Sequence, residues 1–250
     1  MDSEPVISLL LTALVMGAAG LVQGATGFGF AIVAMALLPL PFVLRDFEVA
    51  FPLVALNGLV IPVLIMGRHR KSFDWHKAAP LVLGGVFGTV TGFCLMHGLS
   101  GRLIFLRIFG ATLLVTALFD IWLARVVRTR LPTWMAVPCG FVGGFFGGAF
   151  NIGGPPFVVY AYSQPWTKSE IVSTLQVSFL CSTGLRLLLM GKGGYFDQRV
   201  VLLTLFAVIP TAIGITIGTR MLHRANLNRL KTFVFALVAL LGFKYLLFPG

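Results

Sequence analysis

Residues 140–162 read GFVGGFFGGAFNIGGPPFVVYAY, and residues 20–40 read GLVQGATGFGFAIVAMALLPL. Each passes from an apolar segment through a glycine-rich interruption into another apolar segment. The first interruption is Gln23-Gly24-Ala25-Thr26-Gly27-Phe28-Gly29, and the second runs from Gly147 through Asn151, Gly153 and Gly154 to Pro155-Pro156. Hydrocarbon cannot hydrogen-bond an exposed peptide group, so irregular backbone at membrane depth survives only where it faces protein or a wet cavity. Interruptions in corresponding positions of two halves point to a central binding site.

Composition places both stretches in a bilayer. Hydrophobic residues make up 58% of the chain and charged residues 11%, with a mean hydropathy of +0.96. A soluble domain has roughly half apolar and a quarter charged residues. The N-terminus, MDSEPVISLL, has no Lys or Arg before its first apolar run. It therefore lacks the basic region of a cleavable signal peptide, and that run is expected to stay as a membrane segment.

A window of about 19 residues gives apolar segments near 5–23, 29–44, 47–66, 78–97 and 101–123, then 134–150, 154–165, 169–190, 199–220 and 229–247. The second and seventh are short for a hydrocarbon core that needs about 20 helical residues, as half-helices or re-entrant hairpins would be. The expected fold is all-α: a polytopic transmembrane helical bundle of two repeats, residues 1–124 and 134–250, joined by a basic cytoplasmic linker at 125–133.

The repeats show in ordered matches. GLVQGATG from Gly20 lies over GFVGGFFG from Gly140, and MGRHRKSFD from Met66 over MGKGGYFD from Met190. Gly88 and Gly92 lie over Gly214 and Gly218, and MHGLSGRL from Met96 over LHRANLNRL from Leu222. An odd number of segments per repeat predicts inverted topology.

The net charge of +11 has two readings, retention of basic loops in the cytoplasm and attraction of an anion. Loops after odd-numbered segments hold Arg68, Arg70, Lys71 and Lys77; Arg125, Arg128 and Arg130; Lys168; and Arg220, Arg224, Arg229 and Lys231. The other face has mainly Arg45, Arg102, Lys192 and Arg199. Most of the excess is thus topological, and both termini are expected on the periplasmic side of a bacterial inner membrane.

Glycine lets backbone N–H groups approach a ligand, and Pro155 or Pro156 suits the first turn of a new helix. The positive end of that half-helix suits an anion. Polar Gln23, Thr26 and Asn151 beside the glycines go beyond what packing requires, whereas Gly84, Gly88 and Gly92 read as helix-contact glycines. The predicted binding set is Gln23, Gly24, Thr26, Gly27, Asn57, Asn151, Gly153, Gly154, Gln176 and Arg186. Arg186 has two readings, snorkelling to the interface or a counter-charge facing the bundle. Asn57, Gln176, Ser178, Ser182 and Thr183 lie mid-span and either line a pathway or link helices, and Asp120 reads as an interface residue.

His76, Asp74, Asp197 and Glu170 read as solvated boundary residues. Cys94, Cys139 and Cys181 are widely separated and suit packing rather than metal or redox chemistry. Sequence patterns for a nucleophile–base pair, a metal centre, a phosphate-binding loop or nucleic-acid binding are missing, so neither an enzyme nor a cofactor is expected. Expected partners are a small anion and the lipid bilayer; proton coupling and a homodimer stay open.

With these residues in view, the paired stretches at 20–40 and 140–162 resemble the duplicated signature of the TauE/SafE sulfite exporter family, a resemblance that extends over the whole chain. It implies export of sulfite or small organosulfonates such as sulfoacetate across a bacterial inner membrane; the expected mechanism is alternating access, one half rocking against the other. Rival readings are a permease for carboxylates or another small anion, an importer, a membrane assembly or redox factor, and an intramembrane lipid-modifying enzyme.

Overall fold

The structure, a computed structural model, describes residues 3–44, 46–62, 73–99, 103–126, 130–221 and 227–248, with side chains described except at 3–6, 119–126 and 227–231. Among these, every regular element is a helix: α1 (Ser3–Thr26), α2 (Phe30–Leu37), α3 (Phe47–Gly58), α4 (Trp75–His97), α5 (Leu103–Val126), α6 (Ala136–Phe150), α7 (Gly154–Ser163), α8 (Lys168–Lys192), α9 (Gln198–Met221) and α10 (Leu227–Leu247). Five stretches, Ile7–Thr26, Trp75–His97, Thr133–Phe150, Lys168–Lys192 and Gln198–Met221, are long and apolar enough to cross a membrane. The helix α2 has 8 residues and α7 has 10. At 1.5 Å per residue they span only ~12 and ~15 Å, about half of a hydrocarbon core. The ten expected segments thus appear as helices, with the second and seventh as half-helices. The loop residues 63–72 and 222–226 and the linker residues 127–129 lie outside the described residues, as does the Asp120 side chain, so the matches at Met66 and Leu222 are judged only in part.

Polarity is distributed as lipid solvation requires. Leu10, Leu14, Phe87, Leu118, Leu205, Ile209, Phe233 and Leu240 are exposed, while Gln23, Asn57, Asn151, Gln176 and Arg186 are buried. An apolar exterior is favourable when the surroundings are acyl chains; buried polar groups then need partners inside the bundle.

Packing crosses the linker. The strongest helix pairs are α4 with α6 and α1 with α9, and α4 also packs on α8 as α9 does on α3. Each half therefore lends its fourth helix to the other. Glycines make these contacts possible, since a Cβ on Gly84 would collide with Val137 O and one on Gly88 with Phe141 O. In the other pair, Gly214 meets Gly17 O and Gly218 meets Leu21 O. The reverse faces agree as well: Gly140 and Gly144 lie on Leu81 O and Gly85 O, Gly20 and Gly24 on Thr211 O and Ile215 O.

The packing register corrects one sequence match. Gly84 and Gly88 are the counterparts of Gly214 and Gly218 by their partners, with Pro80 and Pro210 one turn earlier in each helix. Gly84, Gly88 and Gly92 repeat every fourth residue, so the ladder aligns equally well one turn out, and sequence alone selects the wrong turn.

The boundary acids have local work. Asp46, Asp74 and Asp197 accept backbone N–H bonds from Glu48, His76 and Val200 at 2.8, 2.9 and 2.7 Å, satisfying donors that a helix start leaves orphaned. Glu170 closes a capping box with Thr167 and also pairs with Lys77, tying the starts of α4 and α8 together.

The glycine ladder gives a stability test. Gly88→Ala and Gly218→Ala should each destabilise the detergent-purified protein by roughly 1–3 kcal/mol through overpacking. Gly184→Ala, where a Cβ would have no neighbour within 4 Å, should leave the melting temperature in place.

Candidate functional site

The first interruption is held by two side chains, Gln23 and Thr26. α1 ends at Thr26, and Gly27 and Gly29 take φ of +83° and +109°, values open to glycine without a Cβ penalty. The Gln23 amide spans the gap: its Nε2 donates to Gly27 O at 3.0 Å and its Oε1 accepts from Phe30 N at 3.1 Å. It replaces the peptide group that a continuous helix would have put there. The Thr26 hydroxyl donates to Val22 O at 2.8 Å, also within this turn.

The second interruption uses an asparagine. Asn151 ends α6 with φ of +64°, the left-handed conformation that asparagine tolerates better than other side chains. Asn151 N donates to Gly147 O at 2.9 Å and Ile152 N to Phe146 O at 3.2 Å, which closes the helix end. Its side-chain Nδ2 donates to Phe51 O of α3 at 2.9 Å and lies 3.5 Å from Met35 Sδ of α2. Asn151 therefore shapes the break and fastens it to the opposite half.

Both breaks meet at one cavity of about 100 Å³, whose wall includes Gln23, Gly29, Gly147, Asn151, Gly153, Gly154, Gln176, Ser182 and Arg186. The first turns of α2 and α7 also reach it, at Phe30, Ala31 and Ile32 and at Gly154. First-turn N–H groups have no acceptor inside their own helix and carry the positive end of its dipole. Pro155 and Pro156 have no N–H, so α7 brings fewer donors than its position alone would suggest.

Arg186 does not snorkel. It is 5% exposed, its Nη1 donates to Gly147 O and its Nη2 donates to Thr183 Oγ1 at 3.2 Å. The cation thus sits at the C-terminal end of α6, where a helix dipole favours it. Among the described residues it is the only charged side chain in this cavity's wall. Asn151 Oδ1, Gln176 Oε1, Ser182 Oγ and Arg186 Nε, all from wall residues, are buried without a hydrogen-bond partner. An unpaired buried polar atom costs about 1–3 kcal/mol, which a bound guest could offset.

Of the predicted set, Gln23, Asn151, Gly153, Gly154, Gln176 and Arg186 come together here. Gly24, Thr26, Gly27 and Asn57 do not reach the wall. Gly24 is occupied by the backbone of α9 at Ile215, Thr26 bonds within its own turn, and Gly27 faces outward. Asn57 is fully buried and donates to Leu53 O at 3.1 Å. Sequence reasoning missed Phe51, whose contribution is a backbone carbonyl and so has no side-chain signature. Ser182 and Thr183 were legible only as mid-span polar residues.

A larger cavity of about 290 Å³ has Phe51, Phe93, Met96, Phe105 and Leu106 in its wall, with Asp46, Glu48, His97 and Tyr195. Among the described residues its charged wall side chains are the carboxylates of Asp46 and Glu48. Burial, and then the nearby Glu48 carboxylate, push the Tyr195 phenol up from its ordinary value. Phe51 belongs to this wall and Asn151 to the other, so the Asn151–Phe51 bond joins the two cavities' walls.

Apolar helices with an apolar exterior, and two interrupted ones meeting at a small cation-lined cavity, define the class: a multi-pass membrane transporter. The family described as Sulfite exporter TauE/SafE matches residues 12–245, and the chain belongs to it. It is a family of transporters, not enzymes. The chain is also similar to the probable sulfite/organosulfonate exporter TauE of Cupriavidus necator, 25% identical over 222 residues that cover 88% of this chain and 86% of that protein. No solved structure matches the chain.

The left-handed residue separates shape from contact. Asn151→Gly should retain the break and lose only the bond to Phe51, about 0.5–1.5 kcal/mol. Asn151→Ala should cost roughly 1–2 kcal/mol more, the left-handed penalty. Thermal unfolding of both variants measures the difference, and equal stabilities would contradict the assigned backbone role.

Proposed function

We propose that this chain is a secondary transporter that exports a sulfur oxyanion, sulfite or a small organosulfonate such as sulfoacetate, across the bacterial inner membrane by alternating access, with both termini periplasmic. The carrying observation is that both helix interruptions meet at a cavity whose only charged wall residue, among the described residues, is the buried Arg186. Helix N-termini supply further positive potential without adding titratable groups. The relative from Cupriavidus necator, named for sulfite and organosulfonates, supports the sulfur chemistry.

Size favours the smallest member of that class. Sites for drug-sized ligands begin at about 300 Å³, and the cavity holds about 100 Å³. Sulfite suits it better than sulfoacetate in this conformation. Stripping water from an unpaired ion costs tens of kcal/mol in the idealised dry limit, so Arg186, the helix ends and the polar wall act together.

The exchange of α4 and α9 supports an inverted repeat and also relocates the moving parts. The units that rock are α1 with α9 and α3, against α6 with α4 and α8, rather than residues 1–124 against 134–250. Motion between them parts the Asn151–Phe51 bond and joins the cation-lined cavity to the larger one. The membrane potential expels anions by about 2.3 kcal/mol per charge per 100 mV, enough to drive export without a further ion.

Purified protein in liposomes, loaded with labelled sulfite, tests the reading. Arg186→Gln should lower efflux at least about tenfold, equivalent to 1.4 kcal/mol of substrate stabilisation, while Arg186→Lys retains part of it. Undiminished efflux in Arg186→Gln at equal protein content would refute the proposed site.

A further inference from the structure

We infer that the cavity selects a singly charged oxyanion that still carries an O–H, so that hydrogensulfite, and not the sulfite dianion, is the transported form. The inference rests on the anion-site reading above and concerns the protonation state of the guest. The charge balance comes first. Among the described residues one guanidinium and no carboxylate line the cavity, so a monoanion matches the formal charge of the wall, whereas a dianion leaves its second charge to the helix ends alone, in surroundings that solvate it poorly.

The hydrogen-bond inventory points the same way. A fully deprotonated oxyanion only accepts hydrogen bonds, and a site built for one would present donors alone. Here Asn151 Oδ1 is buried without a partner, and the amide cannot be turned round to hide it, because Nδ2 is committed to Phe51 O at 2.9 Å. That oxygen is an acceptor waiting for a donor. Gln176 adds an amide whose Oε1 is likewise buried and unpartnered. Both side chains are more than nine-tenths buried, at 5% and 3% exposure. Arg186 Nε and Ser182 Oγ are also buried and unpartnered, and both can donate. One hydroxyl on the guest satisfies one of the two amide acceptors, and loss of its proton leaves a carbonyl lone pair facing an oxyanion lone pair. A site that hydrogen-bonds a substrate O–H rejects the analogue lacking it far more strongly than an apolar pocket can.

The protein's own titration does not supply this selectivity. Among the cavity's wall residues from α1, α2, α3, α6, α7 and α8, Arg186 is the one titratable side chain, and arginine stays charged. A pH dependence of binding at this cavity therefore reports the guest, while Asp46, Glu48 and His97 belong to the wall of the larger cavity.

The test is sulfite efflux from liposomes containing the intact chain, with equal pH on both sides and the membrane voltage clamped. The pH is stepped from one unit below to one unit above the second ionisation of sulfurous acid at constant total sulfite. The initial rate should fall about tenfold over that interval, as the protonated fraction does, and sulfate should neither exchange nor compete. Asn151→Gly, which removes the acceptor and tolerates the left-handed backbone, should flatten the profile. A wild-type rate that is constant or rises with pH, or effective competition by sulfate, would overturn the inference and leave the anion site standing. Absence of wild-type sulfite efflux at every pH would instead remove the transport reading on which it rests.

Discussion

A peptide group inside a bilayer has no water to turn to, and this constraint explains why the chain's two interruptions look as they do. Each broken turn is supplied with local substitutes for the missing helical bonds. At the first, the Gln23 amide stands in for a peptide unit, donating to Gly27 O and accepting from Phe30 N. At the second, Asn151 takes a left-handed backbone, and Ile152 N returns to Phe146 O. The same polar residues that make the breaks tolerable also place unfilled hydrogen-bonding atoms beside a cavity. Under the proposed function, structural repair and ligand chemistry are two uses of one small group of side chains.

Arg186 shows how closely the two uses are joined. Its bond to Gly147 O supports the end of α6, and that carbonyl also accepts from Asn151 N. The cation is therefore held by the break that it serves. Arg186 is linked through Gly147 and Asn151 to Phe51 on α3, which under the proposed function is a short route from the anion site to the contact between the units proposed to move.

Much of the architecture was legible because lipid imposes such strict rules. Helix positions followed from apolar run length, and the two interruptions followed from glycine with adjacent polar residues. Gly84, Gly88 and Gly92 were rightly read as contact glycines, since each lies on the backbone of α6. Their register was not legible, because a ladder repeating every fourth residue looks the same one turn away. Gly24 misled for a related reason: it stands in the interrupted stretch yet serves the α9 contact at Ile215. Asn57 is polar and mid-span like Gln176, and only the fold decides that one is locked within its helix and the other reaches the cavity. The role of Phe51 could not be read at all, since every residue offers a carbonyl.

The crossed packing of α1 on α9 and of α4 on α6 has a consequence for biogenesis. As the chain leaves the ribosome, the small-residue face of α1 has no partner until α9 has been made, with the seven helices α2 to α8 between them. Contacts so distant in sequence delay consolidation. The nascent first half must sit in lipid as loosely associated helices, with Gly20 and Gly24 facing acyl chains. A chain cut at the central linker would keep its hydrophobic spans yet never acquire its proper neighbours, so insertion and folding are separate events for this protein.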